Sequence, residues 1–256
     1  MKDYKGFLID LDGTMYRGEE RIEAASHFVK KIRDKNIPYL FVTNNSSRTP
    51  SHVAEKLISM DIPSTPEHVF TTSMATSNYI KEKFPKGRVF MIGEEGLEDA
   101  LRQYELKLVD GDGEVDVVVM GIDRSINYEK LSKACLAVRS GALFLSTNGD
   151  VAIPTERGLL PGNGSLTSVV QVSTGVNPIY IGKPESIIVE QALDVLGTSL
   201  VDTVMVGDNY QTDILAGINA GMDTIIVHTG VTAKKHLLQL EIQPTWSIDS
   251  LDEWKF

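Results

Sequence analysis

Cysteine is almost absent from this chain. Cys135 stands alone among 256 residues, so a disulfide scaffold within one chain is excluded. It falls in a helical pattern with Leu131, Ala134 and Val138, which assigns it to core packing. Positive charge is also scarce: 25 lysines and arginines face 35 aspartates and glutamates, for a formal net charge of −10. General binding to nucleic acid or to an anionic membrane is therefore not expected. No apolar stretch approaches the roughly 20 residues needed to cross a bilayer. The short apolar run near the start is broken by Asp10, unlike a signal peptide, and the chain reads as cytoplasmic. The five histidines (His27, His52, His68, His228, His236) lack metal-ligand spacing. The glycine-rich turn Pro161-Gly162-Asn163-Gly164-Ser165 has neither a Walker A lysine nor GxGxxG spacing, so nucleotide phosphate is not expected there. Repeats and low-complexity tracts are missing as well.

What is present centres on carboxylates placed at strand ends. The apolar run Phe7-Leu8-Ile9 leads into Asp10-Leu11-Asp12-Gly13-Thr14. Two carboxylates one residue apart repel, and burial raises their pKa values. A cation held between them and a phosphate removes that conflict. A second acidic pair follows the β-branched run Thr203–Val206, in Gly207-Asp208-Asn209-Tyr210-Gln211-Thr212-Asp213. The run Tyr39–Val42 ends in the hydroxyl- and amide-rich turn Thr43-Asn44-Asn45-Ser46-Ser47, with Thr49 as N-cap and Pro50 as first helical residue. A short run from Pro178 to Ile181 ends in Gly182-Lys183-Pro184. Each segment alone has an ordinary alternative. Asp-Gly is a common turn, Asp213 suits a helix N-terminus, and a lone lysine is usually a solvated charge, the reading also given to Arg17 and Arg48 beside that of added positive charge at the site. Together they place complementary groups at the carboxyl ends of four strands, where parallel α/β sheets bind ligands.

The order DxDGT, hydroxyl turn, lysine and GDxxxxD resembles the haloacid dehalogenase superfamily. The turn Thr43–Arg48 and the long interval before Lys183 are most similar to NagD-like phosphatases with a C2-type cap. The resemblance spans nearly the whole chain. It implies a phosphatase of small phosphomonoesters, such as nucleoside monophosphates or sugar phosphates, acting through an aspartyl-phosphate. Asp10, first at its strand end, is the nucleophile candidate. Asp12, one strand period on, is the acid–base candidate. Thr43, Asn44, Asn45 and Lys183 are the phosphate-binding candidates. Mg²⁺ is the expected cation, because it favours carboxylates, carbonyls and phosphate oxygens. The resemblance makes its ligands the Asp10 carboxylate, the Asp12 backbone carbonyl and Asp208, with Asp213 orienting them. A phosphotransferase or phosphomutase on the same core, or a non-catalytic phosphate-binding domain, is the alternative.

The expected fold class is α/β: a doubly wound parallel sheet with an inserted α/β cap. Strands are expected near Tyr39–Val42, Phe70–Thr72, Thr203–Val206, Thr224–Val227 and Thr245–Ile248 in the core. Residues 1–87 and 178–256 are assigned to the core and 88–177 to the cap, with Ala75–Phe84 a core helix. Within the cap, strands are expected at Val89–Ile92, Val115–Met120 and Leu143–Ser146. A loop is expected over residues 151–158. The resemblance implies that the cap roofs the site and helps select the leaving group, with Asn148 and Asp150 as candidates. The expected partner is a small phosphorylated metabolite, and a homodimer through the cap is left open.

Overall fold

The computed structural model describes residues 2–155 and 157–256, so Glu156 of the expected loop lies outside the described residues. The chain divides into two compact units. The first comprises the chain up to Thr43, Pro50–Phe70 and Lys183–Phe256. Its six-stranded sheet runs in the order Trp246–Ile248, Asp223–Val227, Thr203–Gly207, Gly6–Ile9, Tyr39–Thr43, Val69–Thr71. Gly6–Ile9 pairs in parallel with Thr203–Gly207 and with Tyr39–Thr43. Parallel strands covered on both faces need consecutive apolar residues. Phe7, Leu8, Ile9, Val204, Met205 and Val206 are accordingly all buried. Phe7 and Ile9 join the core that holds Ala25, Phe28, Val29 and Ile32 of the helix Glu23–Asp34. Those four recur at helical spacing and give the helix its single apolar face. Because the strands are parallel, their carboxyl ends lie together, and Asp10, Thr43 and Asp208 are each the last residue of a strand or the next one.

The second unit comprises Asn44–Thr49 and Thr71–Gly182. Its parallel sheet has the order Ile179–Tyr180, Leu143–Ser146, Val117–Met120, Arg88–Ile92, Lys107–Leu108. The period of two is visible in the central strand. Val117 and Val119 pack with Ile80, Leu97 and Leu101, whereas Val118 and Met120 pack with Ala134, Val138 and Val170. The helices Thr72–Lys83 and Glu95–Gln103 thus supply one core, and Tyr128–Arg139 and Asn163–Thr174 the other. Cys135 packs partly buried against the latter core.

Three elements fall elsewhere than expected. The helix Thr72–Lys83 groups with the second unit, where Ile80 packs with Leu97 and Leu101. The strand Ile179–Tyr180, expected to reopen the core sheet, pairs instead with Leu143–Ser146 in the second sheet. Backbone N–H groups of Ile181 and Gly182 extend that pairing to the carbonyls of Ser146 (3.1 Å) and Thr147 (2.8 Å), so the first unit resumes only at Lys183. The expected loop after Asp150 is an antiparallel hairpin of Ala152–Thr155 with Gly158–Pro161. None of the described helices is long and apolar enough to cross a membrane.

One ion pair of the second unit has unusually complete geometry. Arg88 donates through Nε (2.9 Å) and Nη2 (2.8 Å) to the two oxygens of Asp116, and its backbone N–H donates to the same carboxylate at 2.7 Å. These bonds hold the Asp116 carboxyl well below its ordinary range. A depressed carboxyl contributes stability above the unfolded pKa, and that stability is lost as pH falls toward the folded value. Both side chains are about a third exposed, so screening limits the effect. Asp116→Asn is expected to cost about 1 kcal/mol at neutral pH. In denaturant titrations the gap to wild type should narrow between about pH 5 and pH 2.

Candidate active site

Four of the predicted residues meet in the first unit around Lys183, which is only 2 % exposed. Its ammonium donates to Asp10 Oδ1 (2.5 Å), Asp213 Oδ1 (2.7 Å) and the Val42 carbonyl (2.9 Å). Asp208 stands beside them: one oxygen each from Asp10, Asp208 and Asp213 lie within 4.8 Å of one another. The Thr14 hydroxyl lies between Asp10 Oδ2 (3.3 Å) and Asp208 Oδ1 (3.2 Å). Thr43 is buried at the end of its strand. Gly13 adopts φ +87°, a left-handed conformation that lets the chain turn away directly after Asp12.

The charges do not balance. Three buried carboxylates surround one ammonium. Burial first, then the Asp213 charge, push the Asp10 carboxyl well above its ordinary value, against the pull of Lys183. Burial and Asp213 likewise raise Asp208 to about 6. Burial alone would lower Lys183, but Asp10 and Asp213 hold its ammonium above the ordinary lysine range. Lys183 is thus favoured as an ammonium, while the crowded carboxyls are pushed toward taking up protons because one lysine does not balance them. An oxygen-only donor set with excess negative charge fits a hard divalent cation.

Asp213 belongs to the three-aspartate cluster, and its oxygens are occupied. Oδ1 accepts from Lys183 and from the Thr212 hydroxyl (3.3 Å), and Oδ2 accepts from the Asn209 backbone N–H (3.0 Å). It sits in a π-helical turn, Tyr210–Ile214, ahead of the short helix Leu215–Asn219. Asp12 is exposed, and its carboxylate lies outside the three-aspartate cluster. Desolvation raises its pKa, with Lys56 pulling it down. Such a carboxyl can both give and take a proton.

The other predicted residues gather in the second unit. The Asn148 amide donates to the Asn44 carbonyl (2.8 Å), and its Oδ1 accepts from the Asp150 N–H (3.1 Å). Asn44 Nδ2 in turn points at the Asp150 carboxylate, at 3.3 and 3.4 Å. Asn45 Oδ1 accepts from the backbone N–H groups of Ser47 (2.9 Å) and Arg48 (3.0 Å) and so shapes its own turn. Asn148 and Asn45 thus brace backbone. Asn163, quoted only as part of a glycine-rich turn, proves central: its buried Nδ2 lies 3.0–3.2 Å from Met120 O, Ser146 Oγ, Thr147 Oγ1 and Asn148 O. A second group outside the sequence-based candidates is the loop His228–Thr232 in the first unit, which contacts Asp208. Its one sequence signal is a Thr-Gly pair one residue past the strand Asp223–Val227.

The fold is α/β with a buried aspartate–lysine cluster at the strand ends, and comparison with known proteins gives the class. A model described as haloacid dehalogenase-like hydrolase matches residues 7–107, and a HAD-hydrolase-like model matches residues 180–254. The chain belongs to this family, on its NagD-like phosphatase branch. It is 63 % identical to the 5'-nucleotidase YutF of Bacillus subtilis, over 99 % of this chain and 98 % of that protein. It is 52 % identical to an acid sugar phosphatase of Staphylococcus epidermidis, over 98 % and 97 % of the two chains. Among solved structures, a double mutant of a thermostable NPPase from Geobacillus stearothermophilus is similar, with a TM-score of 0.94, 56 % identity and coverage of 100 % and 99 %. A p-nitrophenyl phosphatase from Archaeoglobus fulgidus has a TM-score of 0.92 at 34 % identity, covering 98 % of each chain.

Proposed function

We propose that this phosphatase is Mg²⁺-dependent and hydrolyses small phosphomonoesters, nucleoside monophosphates or sugar phosphates, through an aspartyl-phosphate on Asp10. The observation that carries the reading is the buried Asp10 carboxylate, held at 2.5 Å by Lys183 in a cluster with more negative charge than one lysine can balance. The nucleotidase and sugar-phosphatase names of its relatives support the substrate class.

Asp10, Asp208 and the Asp12 carbonyl would hold the cation, with Asp213 and Thr14 orienting the carboxylates. Bound there, Mg²⁺ supplies charge neutralisation and polarises a phosphoryl oxygen. Phosphoryl transfer asks the protein mainly for positioning and electrostatic stabilisation. An Asp10 oxygen attacks phosphorus, and the ester P–O bond breaks. Asp12 gives its proton to the leaving oxygen. A water then attacks the phosphorus of the acyl phosphate, Asp12 takes up its proton, and the Asp10 O–P bond breaks, which regenerates the carboxylate and releases inorganic phosphate. The Thr43 hydroxyl and Lys183 steady the transferring group, with Asn44 and Asn45 as the further phosphate-binding residues. The second unit is read as the cap, and Asn148 and Asp150 as the residues that tune leaving-group choice.

The reading extends to a cytoplasmic location and to a homodimer formed through the cap. Exposed apolar side chains on its two adjacent helices, Leu136 and Val172 among them, support the second point. Phosphate release from a panel of phosphomonoesters, with and without Mg²⁺, tests the core proposal. Mg²⁺-dependent release is expected, with Asp12→Asn slowing it about 10²- to 10⁴-fold. A panel without any release would sink the proposal.

A further inference from the structure

The loop that follows the strand Asp223–Val227 closes over Asp208. The Val231 backbone N–H donates to Asp208 Oδ2 at 2.6 Å, and the Thr232 N–H donates to the Asp208 carbonyl at 3.1 Å. The Thr229 hydroxyl donates to the Gly13 carbonyl at 2.7 Å, so the same loop holds the turn that carries Asp10 and Asp12. Between these bonds lies Gly230. A Cβ there would fall 1.9 Å from Asp208 Oδ2 and 2.9 Å from the Gly13 Cα. No side chain fits, and no flexible tip could move aside, because Asp208 is itself fixed by its own hydrogen bonds.

The loop is braced from outside. Arg17 Nε donates to the Thr229 carbonyl at 2.5 Å, and the Thr232 hydroxyl accepts from the Tyr210 N–H at 2.9 Å. The bonds divide the two oxygens of Asp208 between separate tasks. Oδ2 is held by the loop, while Oδ1, at 3.2 Å from the Thr14 hydroxyl, shares that hydroxyl with Asp10 Oδ2.

We infer that Thr229, Gly230 and Val231 form a positioning element that presents Asp208 Oδ1 to a divalent cation and thereby sets the protein's affinity for it. The inference rests on the reading of Asp208 as a metal ligand. Groups that orient metal ligands typically govern affinity by about 10- to 100-fold. The loop has a second consequence. One segment grips both the ligand and the Asp10–Gly13 turn, so disturbing it should loosen the metal and leave substrate recognition intact.

Mg²⁺ binding to the full chain, measured by isothermal titration calorimetry without substrate, tests the inference. Gly230→Ala and Thr229→Val are each expected to raise the Kd for Mg²⁺ by about 10- to 100-fold. Thr229→Ser, which keeps the hydroxyl, should restore it. At saturating Mg²⁺ the KM for substrate of the two impaired variants should be little changed, so the Kd for Mg²⁺ is the readout that decides. If Gly230→Ala does not fold, the Thr229 pair decides. Loss of Mg²⁺ binding in Asp208→Asn together with unchanged Kd in the loop variants would overturn the loop's role and spare the metal site. Wild-type protein without saturable Mg²⁺ binding, or Asp208→Asn binding as wild type does, would overturn the metal assignment and the inference with it.

Discussion

Asp10→Asn protein should release phosphate no faster than background while melting at or above the wild-type temperature in the absence of metal. The activity loss follows from chemistry: an amide cannot form the acyl phosphate, and removing a covalent nucleophile costs on the order of 10⁶-fold. The stability gain follows from the charge imbalance. Asp10 sits with Asp208 and Asp213 around a single ammonium, and burial together with Asp213 drives its pKa up. An Asn of nearly the same shape takes one buried charge out of that cluster. Lys183 keeps Asp213 at 2.7 Å and the Val42 carbonyl at 2.9 Å, so it is not stranded. A phosphate-release assay and a thermal melt in chelator measure the two halves separately. Substantial turnover in the purified variant would remove Asp10 from the nucleophile's place. A clear drop in melting temperature would mean that the Asp10–Lys183 pair outweighs the repulsion.

Lys183→Met should do the reverse to stability. Methionine fills much of the lysine's volume but leaves Asp10 and Asp213 facing each other with the buried cation gone. Breaking a buried ion pair from one side typically costs about 3–5 kcal/mol. Adding Asp213→Asn to Lys183→Met should recover a large part of that loss, because the two residues share a contact and their effects do not add. Turnover should also fall by about 10²- to 10³-fold, as when one preorganised donor is removed from a site of developing charge. Urea titrations of the single and double variants, run without metal, read the coupling. A Lys183→Met protein within about 1 kcal/mol of wild type would show that the carboxylates are already neutral in the folded state.

Legibility in the sequence varied with the range of the interaction involved. Asp10 and Asp208 could be picked out because each directly follows a short apolar strand, and paired parallel strands end on the same side, whereas Lys183 stands three residues past a strand of the other sheet and only the tertiary structure brings it to them. The cores of both units were similarly visible in runs such as Val117–Met120, where the period of two sends alternate residues to opposite cores. The strand Ile179–Tyr180 was visible as a strand but not by its partner. A two-residue strand carries no information about which of two sheets it joins, and only its bonds to Leu143–Ser146 decide. Asn163 was hidden for a related reason: its amide reaches oxygens 15 to 43 residues away, which no local pattern announces.

The sequence alone therefore determined the family and the α/β class, because these depend on residue type and short-range spacing. Tertiary structure decided which sheet owns each short strand, how Asp213 spends its oxygens, and why residue 230 is glycine. Those are questions of distance between segments far apart in the chain. The 1.9 Å that a Cβ at Gly230 would leave to Asp208 exists only once the strands Thr203–Gly207 and Asp223–Val227 lie side by side.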